Sequence, residues 1–390
     1  MAKLLVRHGT ILTMEGRRFL RDGYVLVEDG LISSVGGSCE IPPGASDDAV
    51  LDARGAVVMP GLVNAHSHAQ EYALRDLEER PGEGLETLLR ALYRRMSPDL
   101  EEDVVREFLL DSLSCGVTTV ATAALDVEAV ARAAESVGVR VATGPLAGRA
   151  GRGLGSEISR LEGLAASSRG RVLPLVFSEA GIPEDLPRDS GLRVVVHMGS
   201  GSDLRSILSS GLEPRRILAV YDPEAPGDAL AEAAGRGMGF VVCPRAAMRS
   251  GADVGRFPLP ELSRLGARVA VGCGAALDPD ADLLRAAGEL ARVLQGSRRG
   301  GGDAWWALSL VTSSAADALG EASIGRIRPG ARGDLVILDP RARGGGPVGG
   351  DPHVYAAHRG GCQDVLAVVV DGEVRWKRPR DKYEGGMEGA

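Results

Sequence analysis

Residues 59–68 read MPGLVNAHSH. A short apolar run ends on two histidines one residue apart, and in a strand residues two apart share a face. With ~3.3 Å of rise per residue, the Cα atoms of His66 and His68 lie about 6.5 Å apart. From that spacing two imidazoles can reach one ion at about 2.0–2.1 Å each. The stretch therefore reads as the end of a strand carrying part of a metal site. The alternative is a hydrogen-bonded pair that holds no ion. If a metal is held, other strands must bring further ligands to the same place, and that requirement directs the search along the rest of the chain.

Short β-branched runs recur after this strand: VTTVATAAL, VRVATGPL, RVLPLVFSE, LRVVVHMG, RILAVYD, GFVVCPRA and ARVAVGCGA. Helical patterns separate most of them, the link before residue 191 being the weakest. One helix is signalled strongly: Ser97 as N-cap, Pro98 at the first position, acids at 99, 101 and 102. Val104, Val105, Phe108, Leu109 and Leu113 follow at helical spacing. Repeated β–α alternation implies parallel strands and right-handed crossovers. Eight strands over roughly 250 residues predict an α/β fold, a (β/α)8 TIM-like barrel. Both chain ends are β-rich, with hairpin dipeptides at Asp29-Gly30 and Asp371-Gly372. They are expected to pair into a small β-sandwich domain. The predicted division is 1–58 plus 325–390 for that domain, and 59–324 for the barrel with its C-terminal helices.

Composition narrows the function classes. With 44% hydrophobic and 25% charged residues the chain is an ordinary soluble type. A net charge of −8 argues against nucleic acid as partner. No apolar run approaches membrane-spanning length, and the N-terminus reads as a strand broken by Arg7 and His8, not a signal peptide. Five scattered cysteines (Cys39, Cys115, Cys243, Cys273, Cys362) predict a reducing cytoplasm and no disulfides. The glycine-rich stretches lack a phosphate-loop pattern and are assigned no nucleotide. The only lysines are Lys3, Lys377 and Lys382, so the barrel holds none.

His197 ends the run RVVVH at the fifth barrel strand and can complete three nitrogen ligands, the pattern of a catalytic zinc with one open position. His8, His353 and His358 lie at the chain ends and read as structural or exposed.

MPGLVNAHSH, CGVTTV (115–120), VVCPRA (241–246), VAVGCG (269–274), GRIRPGARGDLVILD (325–339) and VVVDGEVR (368–375) occur in an order that resembles the amidohydrolase superfamily, in particular its cytosine-deaminase and chlorohydrolase-like branch. The resemblance implies a metal held by His66, His68 and His197, often a strand-six histidine, and a strand-eight aspartate. Here the strand-six place falls at Val220 or Tyr221, and the strand-eight place at Gly274. Ser200 stands where the family's deaminases carry a proton-shuttling glutamate. The ligand set is therefore incomplete. Glu179, closing the strand-four run, is the first candidate for a replacement carboxylate; Asp278, with Asp280, and Asp222 follow. Cys273 is turned by alternation away from the face of Gly274. Arg75 is a candidate substrate-binding residue. One divalent ion, zinc by its donor set, is expected, and the missing barrel lysine excludes a carboxylated-lysine binuclear centre. Two functions remain open: a metal-dependent hydrolase of C–N bonds in a small, cyclic substrate, and a catalytically inactive relative kept for ligand binding or assembly. The surface is large enough for a homodimer.

Overall fold

The computed structural model describes residues 3–45, 49–76, 83–149, 153–198, 204–221, 225, 227–273, 276, 278–297, 301–344, 346 and 348–379. Ser200, Asp222 and Gly274 lie outside these described residues.

Five strands come first: β1 (Lys3–Leu12), β2 (Phe19–Glu28), β3 (Leu31–Gly37), β4 (Ala49–Asp52) and β5 (Val57–Pro60). The next eight are β6 (Leu62–Ser67), β7 (Val117–Ala124), β8 (Arg140–Ala147), β9 (Val172–Ser178), β10 (Arg193–His197), β11 (Ile217–Val220), β12 (Gly239–Val242) and β13 (Arg268–Val271). Then follow β14 (Leu335–Leu338), β15 (Val365–Val370) and β16 (Glu373–Lys377).

The chain ends form one sheet in the order β16-β15-β14-β5-β1-β2-β3, with β4 also beside β1. β5 joins the halves, pairing parallel with β1 and antiparallel with β14. The two hairpins turn where the dipeptides stand, with positive φ at Asp29 and Gly30 (50° and 82°) and at Asp371 and Gly372 (48° and 77°), as a type I′ turn requires. Leu4, Val6 and Val25 share one core with Leu335, Ile337 and Val369, so residues from both ends are buried together. β5 carries this sheet to Pro60, two residues past the predicted boundary.

β6 to β13 run in chain order, every neighbour parallel. All eight contribute to one small-residue core, among them Ala65, Ala121, Ala142, Phe177, Val195, Leu218, Val241 and Ala270, which must be the barrel interior. Val120, Val141, Val176, Val194 and Phe240 join the larger core outside it. Between β13 and β6 the ring is completed by residues 310 and 311: Val271 N–H donates to the Leu310 carbonyl and Val63 N–H to the Val311 carbonyl, both at 2.9 Å. The result is a nearly closed (β/α)8 barrel. The helix Pro98–Ser114 is capped by Ser97, whose side chain accepts from Leu100 N–H, and its five predicted apolar residues are all buried. No helix forms between β9 and β10, where the pattern was weakest.

Two features lock the sheet to the barrel. Arg140, at the start of β8, is fully buried and ion-paired with Asp334, which precedes β14, and with Asp371 at 2.7 Å. Cys115, capping the helix Pro98–Ser114, is disulfide-bonded to Cys362 before β15. That pairing corrects the expectation of no disulfides. The partners are 247 residues apart in sequence, a separation at which spacing carries no information about proximity. No helix among the described residues is long and apolar enough to cross a membrane.

Candidate metal centre

His66, His68 and His197 meet at the C-terminal ends of β6 and β10, the face on which such barrels place their chemistry. Ring centroids are 5.1 Å apart for His66–His68, 4.8 Å for His66–His197 and 5.1 Å for His68–His197. His68 Nε2 and His197 Nε2 approach to 3.1 Å. Among the described residues these three form the one group of three or more metal-ligating side chains, with donor atoms all within 4.8 Å.

The convergence does not arise by regular alternation. Val63 and Ala65 belong to the interior core, so an unbroken strand would turn His66 outward. The pairing of β6 with β7 instead shifts register between Asn64 and Ser67, a bulge of the kind that re-aims a side chain. His66 thereby lies 6.3 Å from the ring of Phe177, itself an interior residue. His68 lies past the strand and opens the 3-10 helix Ala69–Leu74. At the barrel seam, Asn64 Oδ1 accepts from Cys273 N–H (3.1 Å) and His66 N–H (3.3 Å), while Asn64 Nδ2 meets Cys273 Sγ at 2.8 Å. A Cβ on Gly272 would stand 2.5 Å from the His66 carbonyl oxygen, so β13 can approach β6 this closely only with glycine there.

Burial keeps the imidazoles neutral, the form that ligates metal. Desolvation lowers His66 well below the ordinary range, aided by its neighbours His197 and His68. His68 is lowered to about 4 and His197 to about 3, desolvation leading in both. His66 Nδ1 and His68 Nδ1 are buried with no hydrogen-bond partner. Two nitrogens at about 2.0–2.1 Å from one tetrahedral zinc stand ~3.3 Å apart, close to the 3.1 Å seen here. Neutral, converging, under-partnered imidazoles fit a divalent ion.

The other candidates fall differently. Glu179 follows β9, half exposed at the same mouth, and its Oε2 accepts from Arg149 Nε (3.0 Å) and Nη2 (2.9 Å); its charge favours protonated His68 and His197. Asp278 is a buried acid in the loop after β13. It is 2% exposed, and burial raises it to about 7. It faces Arg245 at 3.8 Å and stands outside the histidine group. Asp280 pairs with Arg245 at 2.9 Å. Arg75 lies over the Tyr72 ring and pairs with Glu107 (3.3 Å), so its guanidinium is engaged there and not with the histidines. Val220 sits beside His197 in register, and the Tyr221 ring packs on Phe257, so neither replaces the strand-six histidine. Cys273 is buried behind Asn64. His8 pairs with Asp22 and His353 with Asp351, while His358 ends the helix Pro352–His358; all three are remote in the fold from the centre. A cavity of about 1000 Å³ lies at the opposite end of the barrel, beside Arg171, Arg332 and Asp371.

One acid was missed from sequence. Glu71 Oε1 lies 3.8 Å from His68 Nδ1 and accepts from the Tyr93 hydroxyl at 2.6 Å. Burial raises Glu71 to about 7. Its signal was available: three residues past His68, it returns to the same side on one helical turn.

The amidohydrolase family pattern matches residues 57–172 and 220–375. The chain belongs to the amidohydrolase family. It is 30% identical to the 5-methylthioadenosine/S-adenosylhomocysteine deaminase of Symbiobacterium thermophilum, covering 96% of this chain and 93% of that protein. The protein of the same name from Pelotomaculum thermopropionicum is 27% identical with the same coverage. Among solved structures, an adenosine deaminase from Xanthomonas campestris with bound zinc superposes with a TM-score of 0.84 at 20% identity, covering 97% of this chain and 95% of that one. An atrazine chlorohydrolase from Arthrobacter aurescens complexed with zinc gives 0.79 at 22%, covering 95% and 94%. These likenesses establish the shared architecture.

The shifted groups set a pH dependence for the metal-free protein. Histidines lowered on folding take up protons first in the unfolded chain, so their contribution to stability is lost as pH falls from about 6.5 toward 4. Glu71, Glu101 and Asp278, each raised to about 7, act oppositely: their contribution is lost as pH rises toward 7. The two sets therefore oppose each other between about pH 4.5 and 6.5. With all three histidines replaced by glutamine, urea midpoints should fall steadily with rising pH over that window. A flat profile in that variant would contradict the assignment.

Proposed function

We propose that the protein is a metal-dependent hydrolase of C–N bonds in a small cyclic substrate, with adenosine-type nucleosides the first class to test. The observation that carries this is the meeting of three desolvated, neutral imidazoles, His66 and His68 buried and His197 partly so, at the mouth of the barrel. The deaminases among its relatives support the reaction class. His66, His68 and His197 would hold one ion, zinc by donor type. A zinc ion there supplies Lewis acidity toward water and the leaving group. Glu179 is the carboxylate at the mouth able to take a proton from the attacking water, with Arg149 holding it in place. The barrel interior below is a buried apolar core that includes Ala65, Phe177, Val195 and Ala270.

A second reading has its own support. Gly274, Ser200 and Val220 or Tyr221 stand where the resemblance implies an aspartate, a glutamate and a histidine, so metal could remain without turnover. Metal analysis of the purified protein, with ammonia release measured on adenosine, methylthioadenosine, guanine and cytosine, separates the two. One zinc per chain with ammonia release supports the hydrolase. One zinc with no release on any substrate supports the inactive reading. Absence of bound metal, with melting unaffected by a chelator, overturns the metal centre itself.

A further inference from the structure

Where the resemblance implies a strand-eight aspartate the sequence has Gly274, and among the described residues Glu71 stands behind His68. His68 Nε2 faces His197, which leaves Nδ1 as the other ring nitrogen. That nitrogen is buried and has no hydrogen-bond partner. The acceptor facing it is Glu71 Oε1, at 3.8 Å.

Glu71 is itself held from two sides. Tyr93, on the helix Glu83–Arg95, donates its hydroxyl to Oε1 at 2.6 Å, and the backbone of Ala276, in the loop after β13, donates to the same carboxyl group. The apolar cluster of Leu74, Leu85 and Ala276 with Leu88, Leu89 and Leu92 packs this helix and this loop together. The carboxylate is thus fixed by segments from opposite sides of the barrel seam and pointed at the back of His68.

We infer that Glu71 is a positioning residue for the centre: it accepts a hydrogen bond from His68 Nδ1–H, keeps Nε2 as the ligating nitrogen and, when ionised, sets a negative charge behind the neutral imidazoles. A side-chain movement of roughly 0.8 Å brings the pair to an ordinary N–H···O length of 2.9–3.0 Å. Carboxylate partners of this kind set the tautomer and raise the basicity of ligating histidines. The inference rests on the metal reading of the centre.

The test measures zinc affinity by chelator competition, and the visible absorption of the cobalt-loaded protein, for wild type, Glu71→Ala, Glu71→Gln and Tyr93→Phe. Glu71→Ala should weaken zinc binding by about 10–100-fold and shift the cobalt bands. Glu71→Gln, nearly isosteric, should give an intermediate loss, because its amide oxygen still accepts but carries no charge; it also serves if the alanine variant does not fold. Tyr93→Phe should move both readouts less, in the same direction. A purely structural role would lower the melting temperature and leave affinity and cobalt spectrum unchanged, and that result overturns the inference alone. Wild-type protein that takes up neither zinc nor cobalt removes the metal reading, and this inference with it.

Discussion

Replacing His197 by alanine is expected to abolish stoichiometric metal binding and any ammonia release, while leaving the barrel folded. With three nitrogen ligands available, removing one leaves two, below the three protein ligands of catalytic zinc sites. Losing a supporting partner alone typically costs 10–100-fold in affinity, so losing a ligand should cost on the order of 1,000-fold or more. The fold should tolerate the change, because His197 ends β10 and makes its contacts with the other two histidines. The metal-free variant should even lose less stability on acidification, since one imidazole held neutral by burial is gone. Metal content by elemental analysis and circular dichroism on the same sample check the two halves. A variant that keeps one zinc per chain would mean that the ion, if present, is held elsewhere.

The second large effect lies at the other end of the barrel. Arg140→Met should destabilise the protein by about 3–5 kcal/mol, because it leaves the buried carboxylate of Asp334 without its cation. Asp371 suffers less: Arg332 and Arg171 still face it at 3.5 and 3.6 Å. In the double variant Arg140→Met, Asp334→Asn the charge is removed, while the side-chain oxygen that accepts from Asp371 N–H can be kept. Most of the lost stability should therefore return. Denaturant midpoints with unchanged slope are the measurement. If single and double variants fall equally, packing of the arginine and not its charge pairing holds the sheet to the barrel.

The two predictions mark the two levels at which this protein is specified. Local pattern determined the architecture. Alternating β-branched runs and helices led to the barrel, the Ser97-Pro98 cap and its apolar spacing to one helix, and the Asp-Gly dipeptides to both end hairpins. These features depend on a residue's near neighbours, which is why they can be read without coordinates. His66, His68 and His197 were also legible as candidates, since His66 and His197 close strands whose place in the barrel follows from counting and His68 lies just past the first of them.

Tertiary structure alone decided what surrounds them. The bulge that brings His66 inward is a mismatch between β6 and β7, and neither strand shows it by itself. Glu71 gains its place only when Tyr93 and Ala276 close on it. Asp278 and Glu179 read as candidate carboxylates until burial sets the first against Arg245 and Arg149 reaches the second. Cys115 and Cys362 meet across most of the chain. Side-chain chemistry and strand order are local properties, whereas desolvation, charge pairing and disulfide partnership depend on distances that only the folded chain defines.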